Sequence, residues 1–320
     1  MFNKILVFRN DRFGEFLLNI PAIRALKVSN PGCRLTLVVD PYVLALAQCI
    51  EGVDEVIGWK NCRHGFAEVF KFSKELKAKN FDLCVAPNPS KESHIISFLA
   101  GIPVRLGYDR KWGFLLNKKA KDKKALGEKH EVQYNLDLVR LVGATTQDLG
   151  LSLSLNNDII ISYIKGLGLG NRENLVAVHP WTSDLVKQWK PDRFRSLVEK
   201  LISELKLKIV IVGDKVEAAR SRDLFSGIRE NIIDLSGNTD LVQLAAVLKN
   251  SRLLISGDSG PVHLACCVGT PVLALFRNDL MGKTARRWGP WARNCAVIEK
   301  SSLDNISVEE VLNKTKEMLG

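Results

Sequence analysis

The residues best placed by type and spacing to meet an anionic ligand lie in Gly257-Asp258-Ser259-Gly260-Pro261-Val262-His263-Leu264-Ala265, followed by Gly269-Thr270-Pro271. An apolar run ends in Ser256, and a small polar turn then opens a helix. The free backbone N–H groups of such a helix start, together with its dipole, attract phosphate. Gly260 allows a ligand to come close to the backbone. His263, one turn into the helix, could donate to a phosphate oxygen. An ordinary helix capped by Asp258 or Ser259 accounts for the same residues, and local chemistry alone favours that simpler account. The spacing is not the G-x-G-x-x-G of a dinucleotide site.

The elements around this segment alternate in type. Lys4–Phe8 is a short apolar run with a polar turn after it, as a buried strand requires. Phe16–Val28 has helical apolar spacing, with Pro21 close to its start. Arg34–Val39 and Glu55–Gly58 read as strands, Phe66–Lys79 as an amphipathic helix, and Phe81–Ala86 as the next strand. The second half repeats the style. Leu175–His179, Lys208–Gly213, Arg252–Ser256 and Pro271–Phe276 read as strands. Pro191–Lys206, Leu241–Asn250, Gly260–Gly269 and Val308–Leu319 read as helices. Pro191 suits a first helical turn. Strands alternating with helices predict βαβ units and parallel sheets. Glycines and polar residues gather between Asn156 and Asn174, which places a linker there and divides the chain into domains of 1–165 and 166–320. Open α/β sheets bind ligands beyond the carboxyl ends of their strands. Chemistry is therefore expected at residues 9–15, 179–187, 213–217 and 256–263, around a cleft between the two halves.

The length of 320 residues suits two domains. A hydrophobic content of 46% and a charged content of 25% are those of a globular chain. No run of about 18 uncharged apolar residues occurs, so no transmembrane helix is expected. The first residues lack the long apolar region and cleavage site of a signal peptide. They read as a first strand, and the expected location is cytoplasmic. Seven cysteines with no C-x-x-C pair argue against a zinc site or a disulfide framework. Cys266 and Cys267 read as small core residues. The net charge of +11 favours anionic partners. Its densest cluster is Lys118, Lys119, Lys121, Lys123 and Lys124, which fits either a solvated loop or a patch facing an acceptor or a membrane.

The 257–271 segment resembles the D-[ST]-G-x-x-H-L-A…G-T-P signature of glycosyltransferase family 9, the ADP-heptose:lipopolysaccharide heptosyltransferases. Ile5-Leu6-Val7-Phe8-Arg9-Asn10-Asp11-Arg12-Phe13-Gly14-Glu15 and Pro21–Leu26 resemble the start of that family. So do Arg105–Asp109, His130 with the Tyr134–Leu141 helix, His179-Pro180, Lys187–Pro191 and Arg193-Phe194. The likeness runs through nearly the whole chain in the same order. It implies an α/β chain of the GT-B fold: two Rossmann-like domains with parallel sheets facing a central cleft. The first domain would take the acceptor and the second the nucleotide sugar, with the last helix packing back on the first domain.

The same resemblance implies roles. The family's catalytic acid follows the glycine of the first strand–helix turn and is usually aspartate. Glu15 stands there, keeping the carboxylate with one more methylene, and Asp11 on the same loop is the alternative base. A helix-dipole role accounts for either acid without catalysis. Lys187 matches the lysine that contacts the donor phosphate. Thr182, and with it Ser183, could hydrogen-bond a phosphate. Glu217 would hold the ribose hydroxyls. Asp258, Ser259, Gly260 and His263 match the donor signature, and His179 is read as structural. The implied reaction is inverting and needs no metal or other cofactor. Its partners would be a nucleoside-diphosphate sugar and a lipid A/core saccharide or similar anionic glycolipid, at the cytoplasmic face of the inner membrane. Competing readings are a GT-B nucleotide-sugar hydrolase or epimerase, and a family member that binds sugar nucleotides without transferring. A nucleic-acid-binding protein is a third, which the absence of aromatic RNA-binding motifs, fingers or a helix-turn-helix disfavours.

Overall fold

We describe the protein from a computed structural model. It describes residues 1–169, 174–228 and 230–320. The chain divides into two compact units, Met1–Ser154 and Leu155–Gly320.

The first unit begins with β1 (Lys4–Arg9), α1 (Phe13–Leu17) and α2 (Ile20–Ser29). It continues through β2 (Arg34–Val39), α3 (Leu44–Ala47), β3 (Glu55–Gly58), α4 (Phe66–Ala78), β4 (Leu83–Ala86) and α5 (Lys91–Leu99). β5 (Val104–Tyr108), β6 (Lys118–Ala120) and α6 (Glu131–Arg140) complete it. The sheet order is β3-β2-β1-β4-β5-β6, every pair parallel. Strands covered on both faces need no alternation, and β1 and β2 are accordingly buried at every position after the first. Leu6, Phe8, Phe72, Leu76 and Ile96 fill the core under α4 and α5.

The second unit runs α7 (Asn157–Gly166), β7 (Leu175–His179), α8 (Pro191–Leu205), β8 (Lys208–Ile211), α9 (Ala218–Leu224), β9 (Ile232–Asp234) and α10 (Leu241–Lys249). It ends with β10 (Leu253–Gly257), α11 (Gly260–Cys267), β11 (Val272–Arg277), α12 (Ala285–Trp288), β12 (Cys295–Lys300) and α13 (Val308–Leu319). Its order, β12-β11-β10-β7-β8-β9, is the same topology repeated. In each sheet the strand order reverses beside the unit's first strand, at β1/β4 and at β7/β10. These are the topological switch points where open α/β sheets bind ligands. Val311 and Leu312 of α13 sit in the core with Trp189, Phe194 and Leu201. Among the described residues no helix is long and apolar enough to cross a membrane.

Four expectations are corrected. The division falls at 154/155 rather than 165/166, because α7 packs on α10 of the second unit. The 156–174 stretch expected as a linker therefore contains a helix, while its residues 170–173 lie outside the described residues. The single helix expected over Phe16–Val28 is two, broken at Leu18-Asn19: Pro21 opens α2, and the Asn19 side chain donates to the Glu15 carbonyl at 2.9 Å. The lysine cluster is not one surface loop. Lys118 and Lys119 lie on edge strand β6, a usual defence against edge-to-edge pairing. Lys124 is buried, with its Nζ 2.5 Å from Glu131 Oε1.

Candidate functional site

In the first unit the switch point carries a group of one arginine and two acids. β1 delivers Arg9 to its carboxyl end, buried at 1% exposure. Arg9 Nε lies 3.1 Å from Asp11 Oδ1, and its Nη2 lies 3.6 Å from Glu15 Oε2. Nη2 also donates to the Glu15 carbonyl at 3.0 Å, which fixes the first turn of α1 against the strand. The Asp11 side chain is 9% exposed and that of Glu15 32%, so Glu15 is the acid an incoming hydroxyl can reach. Burial pushes the Asp11 carboxyl up to about 7. Arg9 opposes the rise, and neighbouring Glu15 adds to it. Asp11 therefore keeps its proton to near neutrality, the range in which general acid–base chemistry operates. Arg9 was not singled out from the sequence as part of a site. The available signal was a cation closing an otherwise apolar strand, two residues before an acid.

In the second unit the switch point joins three of the loops expected to matter. His179 ends β7, and its Nδ1 lies 3.2 Å from Ser256 Oγ and 3.1 Å from Ser259 Oγ. Its Nε2 lies 3.4 Å from Glu217 Oε2. That same oxygen accepts from the Asp214 N–H at 2.9 Å. Burial acts to raise the Glu217 carboxyl, but His179, the Asp214 N–H and Arg220 together outweigh it and leave it below its ordinary range. Glu217 is thus an anion held in place, as a ribose-hydroxyl acceptor would need to be.

Ser259 occupies the N-cap position of α11, yet its side chain does not cap the helix. Its Oγ turns instead to His179 and, at 2.8 Å, to Ser256 Oγ. The ordinary-cap account of this segment therefore does not describe how Ser259 is used. Lys187 ends a 3₁₀ turn, Leu185–Lys187, and pairs with Asp258. Thr182 donates its hydroxyl to the Asp184 carbonyl at 2.9 Å, and its N–H to Gln188 Oε1 at 2.9 Å. Gln188 Nε2 donates in turn to the carbonyls of Pro180 and Trp189. The 180–189 loop is thus folded on itself and tied by Lys187 to the 257–260 turn. A Cβ at Gly257 would stand 3.1 Å from Thr182 Cγ2 and 3.5 Å from the Lys187 carbonyl, so the close packing of that loop depends on this glycine. Gly260 begins α11, and His263 follows inside it, 4% exposed.

Within this unit Thr182, Lys187, Glu217, Asp258 and Ser259 are gathered beyond the carboxyl ends of the central strands, with His179 as the link between Glu217 and Ser259. Its linking position was beyond sequence reasoning, because both partners arrive from distant strands. The arrangement offers a cation, a helix start with an uncapping serine, and a fixed carboxylate, which suit a diphosphate with a sugar hydroxyl nearby.

Two Rossmann-type units, each with a parallel sheet of the same strand order, have the GT-B architecture. The model of glycosyltransferase family 9 (heptosyltransferase) matches residues 69–316, and the chain belongs to that family. A putative glycosyltransferase of Haemophilus influenzae is 28% identical over 302 residues, covering 90% of this chain and 86% of its own. Lipopolysaccharide heptosyltransferase 3 of Escherichia coli is 23% identical over 318 residues, covering 96% and 90%. The solved structure of the E. coli ADP-heptose lipopolysaccharide heptosyltransferase II superposes with a TM-score of 0.85 at 21% identity, covering 99% of this chain and 98% of that one.

Proposed function

We propose that the protein is an inverting, metal-independent transferase that moves a heptose from ADP-heptose to a lipopolysaccharide core or related lipid-linked saccharide. The observation that supports it most is the second unit's switch point, where Lys187–Asp258 and Glu217–His179–Ser259 meet beyond the carboxyl ends of the central strands. The names of the relatives supply the heptose and the lipopolysaccharide.

In this reading the acceptor hydroxyl attacks the anomeric carbon in one displacement, and Glu15 takes its proton. Asp11 is the alternative base. The transition state has oxocarbenium character, as in glycoside chemistry generally. The nucleoside diphosphate departs held by Lys187, the Ser259–Gly260 turn and His263, with Thr182 beside them and Glu217 on the ribose. Lys187 offsets the charge that builds on the leaving group. The work is done in the cytoplasm, with peripheral contact at the inner membrane where the acceptor lipid lies.

Titration calorimetry with ADP, GDP and UDP, each with and without magnesium, tests the donor side. Preferential, magnesium-independent binding of ADP supports the reading and justifies ADP-heptose as the next ligand. Preference for another nucleotide moves the donor sugar. Donor turnover without any acceptor would favour a hydrolase or epimerase, and binding without transfer to any acceptor an inactive sugar-nucleotide binder.

A further inference from the structure

The carboxyl end of β3 leads into Trp59-Lys60-Asn61-Cys62-Arg63-His64, which the proposed transfer does not use. Cys62 is exposed, and its Sγ lies 3.5 Å from His64 Nε2. The other ring nitrogen, Nδ1, lies 3.0 Å from Glu92 Oε1 in the first turn of α5. The same carboxylate oxygen accepts from Trp59 Nε1 at 2.6 Å. The indole of Trp59 stacks on the imidazole with ring centroids 4.0 Å apart, and its other neighbour, Phe72, stacks at 4.1 Å. The imidazole is therefore held with a thiol on one nitrogen and a carboxylate on the other.

This is the order that activates a nucleophile: the base is oriented by a third group. The imidazolium formed on taking the thiol proton is stabilised by the Glu92 carboxylate and by the π face of Trp59. Lys60 and Arg63, both exposed, stand two residues before and one residue after Cys62 in the chain. The remaining cysteines are differently placed. Cys33, Cys84, Cys266 and Cys267 are buried, and Cys49 and Cys295 half-buried. Burial pushes the Cys49 thiol up.

We propose that Cys62, activated by His64 and Glu92, is a site of thiol–disulfide exchange with small anionic disulfides. His64 Nε2 takes the thiol proton, and the Cys62 thiolate attacks one sulfur of the disulfide. A new S–S bond forms to Cys62, the small molecule's own S–S bond breaks, and the released thiolate takes up the proton. Cys62 is oxidised and the disulfide reduced, so electrons balance within the pair. Lys60 and Arg63 select for negative charge on the incoming molecule. Asn10 Nδ2 donates to the Trp59 carbonyl at 3.4 Å, so an adduct would form on a loop that abuts the Asp11 turn.

The test uses the full chain and oxidised glutathione, with brief incubation and peptide mapping by mass spectrometry. Cys62 should be the first cysteine modified, and cationic cystamine should react with it more slowly than oxidised glutathione. His64→Gln should slow the reaction at Cys62 by about tenfold or more, as loss of a general base does. Modification of another cysteine first in the unaltered protein overturns the proposal, and so does an unaltered rate in His64→Gln. His64 and Glu92 would then only clamp the loop to α5. The order of modification and the cystamine comparison in the unaltered protein decide even if the variant does not fold.

Discussion

Arg9 holds two acids that differ in what they can reach. Glu15 is the more open, and Asp11 is the one whose proton is retained to about pH 7. Glu15→Gln should lower transfer by about 10²–10⁴-fold, the usual worth of a general base, with nucleotide affinity unchanged in calorimetry. Full retained activity would pass the role to Asp11. The Asp11 carboxyl rises from an ordinary 3.8 to about 7, so the folded state keeps a proton that the unfolded chain has released. Stability is then lost as pH climbs from about 4 towards 7, and the loss is complete above that. Asp11→Asn should melt a few degrees higher than the parent at pH 8 and at nearly the same temperature at pH 4. A constant difference across that range would contradict the burial argument. Lys187 and Asp258 form a charge-assisted pair near the helix start. Lys187→Ala should weaken nucleotide binding by roughly ten- to a hundredfold, the worth of one hydrogen bond to a charged group. Unchanged kinetics and affinity would remove Lys187 from the donor site.

The loops depend on elements that have no chemistry of their own. Gly257 ends β10 where a side chain would press on Thr182 and the Lys187 carbonyl. Gly257→Ala should leave the melting temperature close to the parent's and loosen nucleotide binding, because the neighbouring loop must give way by tenths of an ångström. Equal binding would show that the loop is not needed in its present place. Trp189 sits at the other end of that loop, fully buried, edge-on to Phe194 at 4.8 Å, and donates from Nε1 to the Ile306 carbonyl at 3.1 Å. Trp189→Ala should cost about 3–5 kcal/mol in denaturant unfolding, as large-to-small changes in cores do. The split between α1 and α2 belongs to the same scale. It lets Arg9 and Asn19 both bind the Glu15 carbonyl, which a continuous helix would have used internally.

Each unit has its own core and its own parallel sheet in the order 3-2-1-4-5-6, so each supplies one switch point. Amide hydrogen exchange with saturating ADP should therefore show its strongest protection at 179–187, 213–217 and 256–263. Stronger protection at 9–15 would move the donor site to the first unit.

Most of the element pattern could be read from the sequence, because apolar runs and 3.6-residue spacing are local properties. Arg34–Val39, Glu55–Gly58, Leu175–His179 and Val308–Leu319 coincide with their strands and helix; the helix read over Phe16–Val28 is two, the one read from Tyr134 begins three residues earlier, and the remaining expected elements differ by one or two residues at their ends. Strands β5, β6, β9 and β12 and helices α3, α5, α7, α9 and α12 went unread; among them β6 is polar and α7 lies among linker-like residues. The family resemblance located the 257–263 turn and the Gly14-Glu15 turn, and both stand at switch points. What the sequence determined by itself was therefore the alternation of strand and helix, the family, and the loops that stand at the switch points. Only the tertiary structure decided the partnerships: Arg9 with two acids, His179 with Glu217 and Ser259, Lys187 with Asp258, and Lys124 withdrawn from the surface to Glu131. Local order follows from neighbours along the chain, whereas these partnerships depend on how turns and crossovers fold: Arg9 and Lys124 meet acids within seven residues, while His179 and Lys187 meet Ser259 and Asp258 from more than 70 residues away.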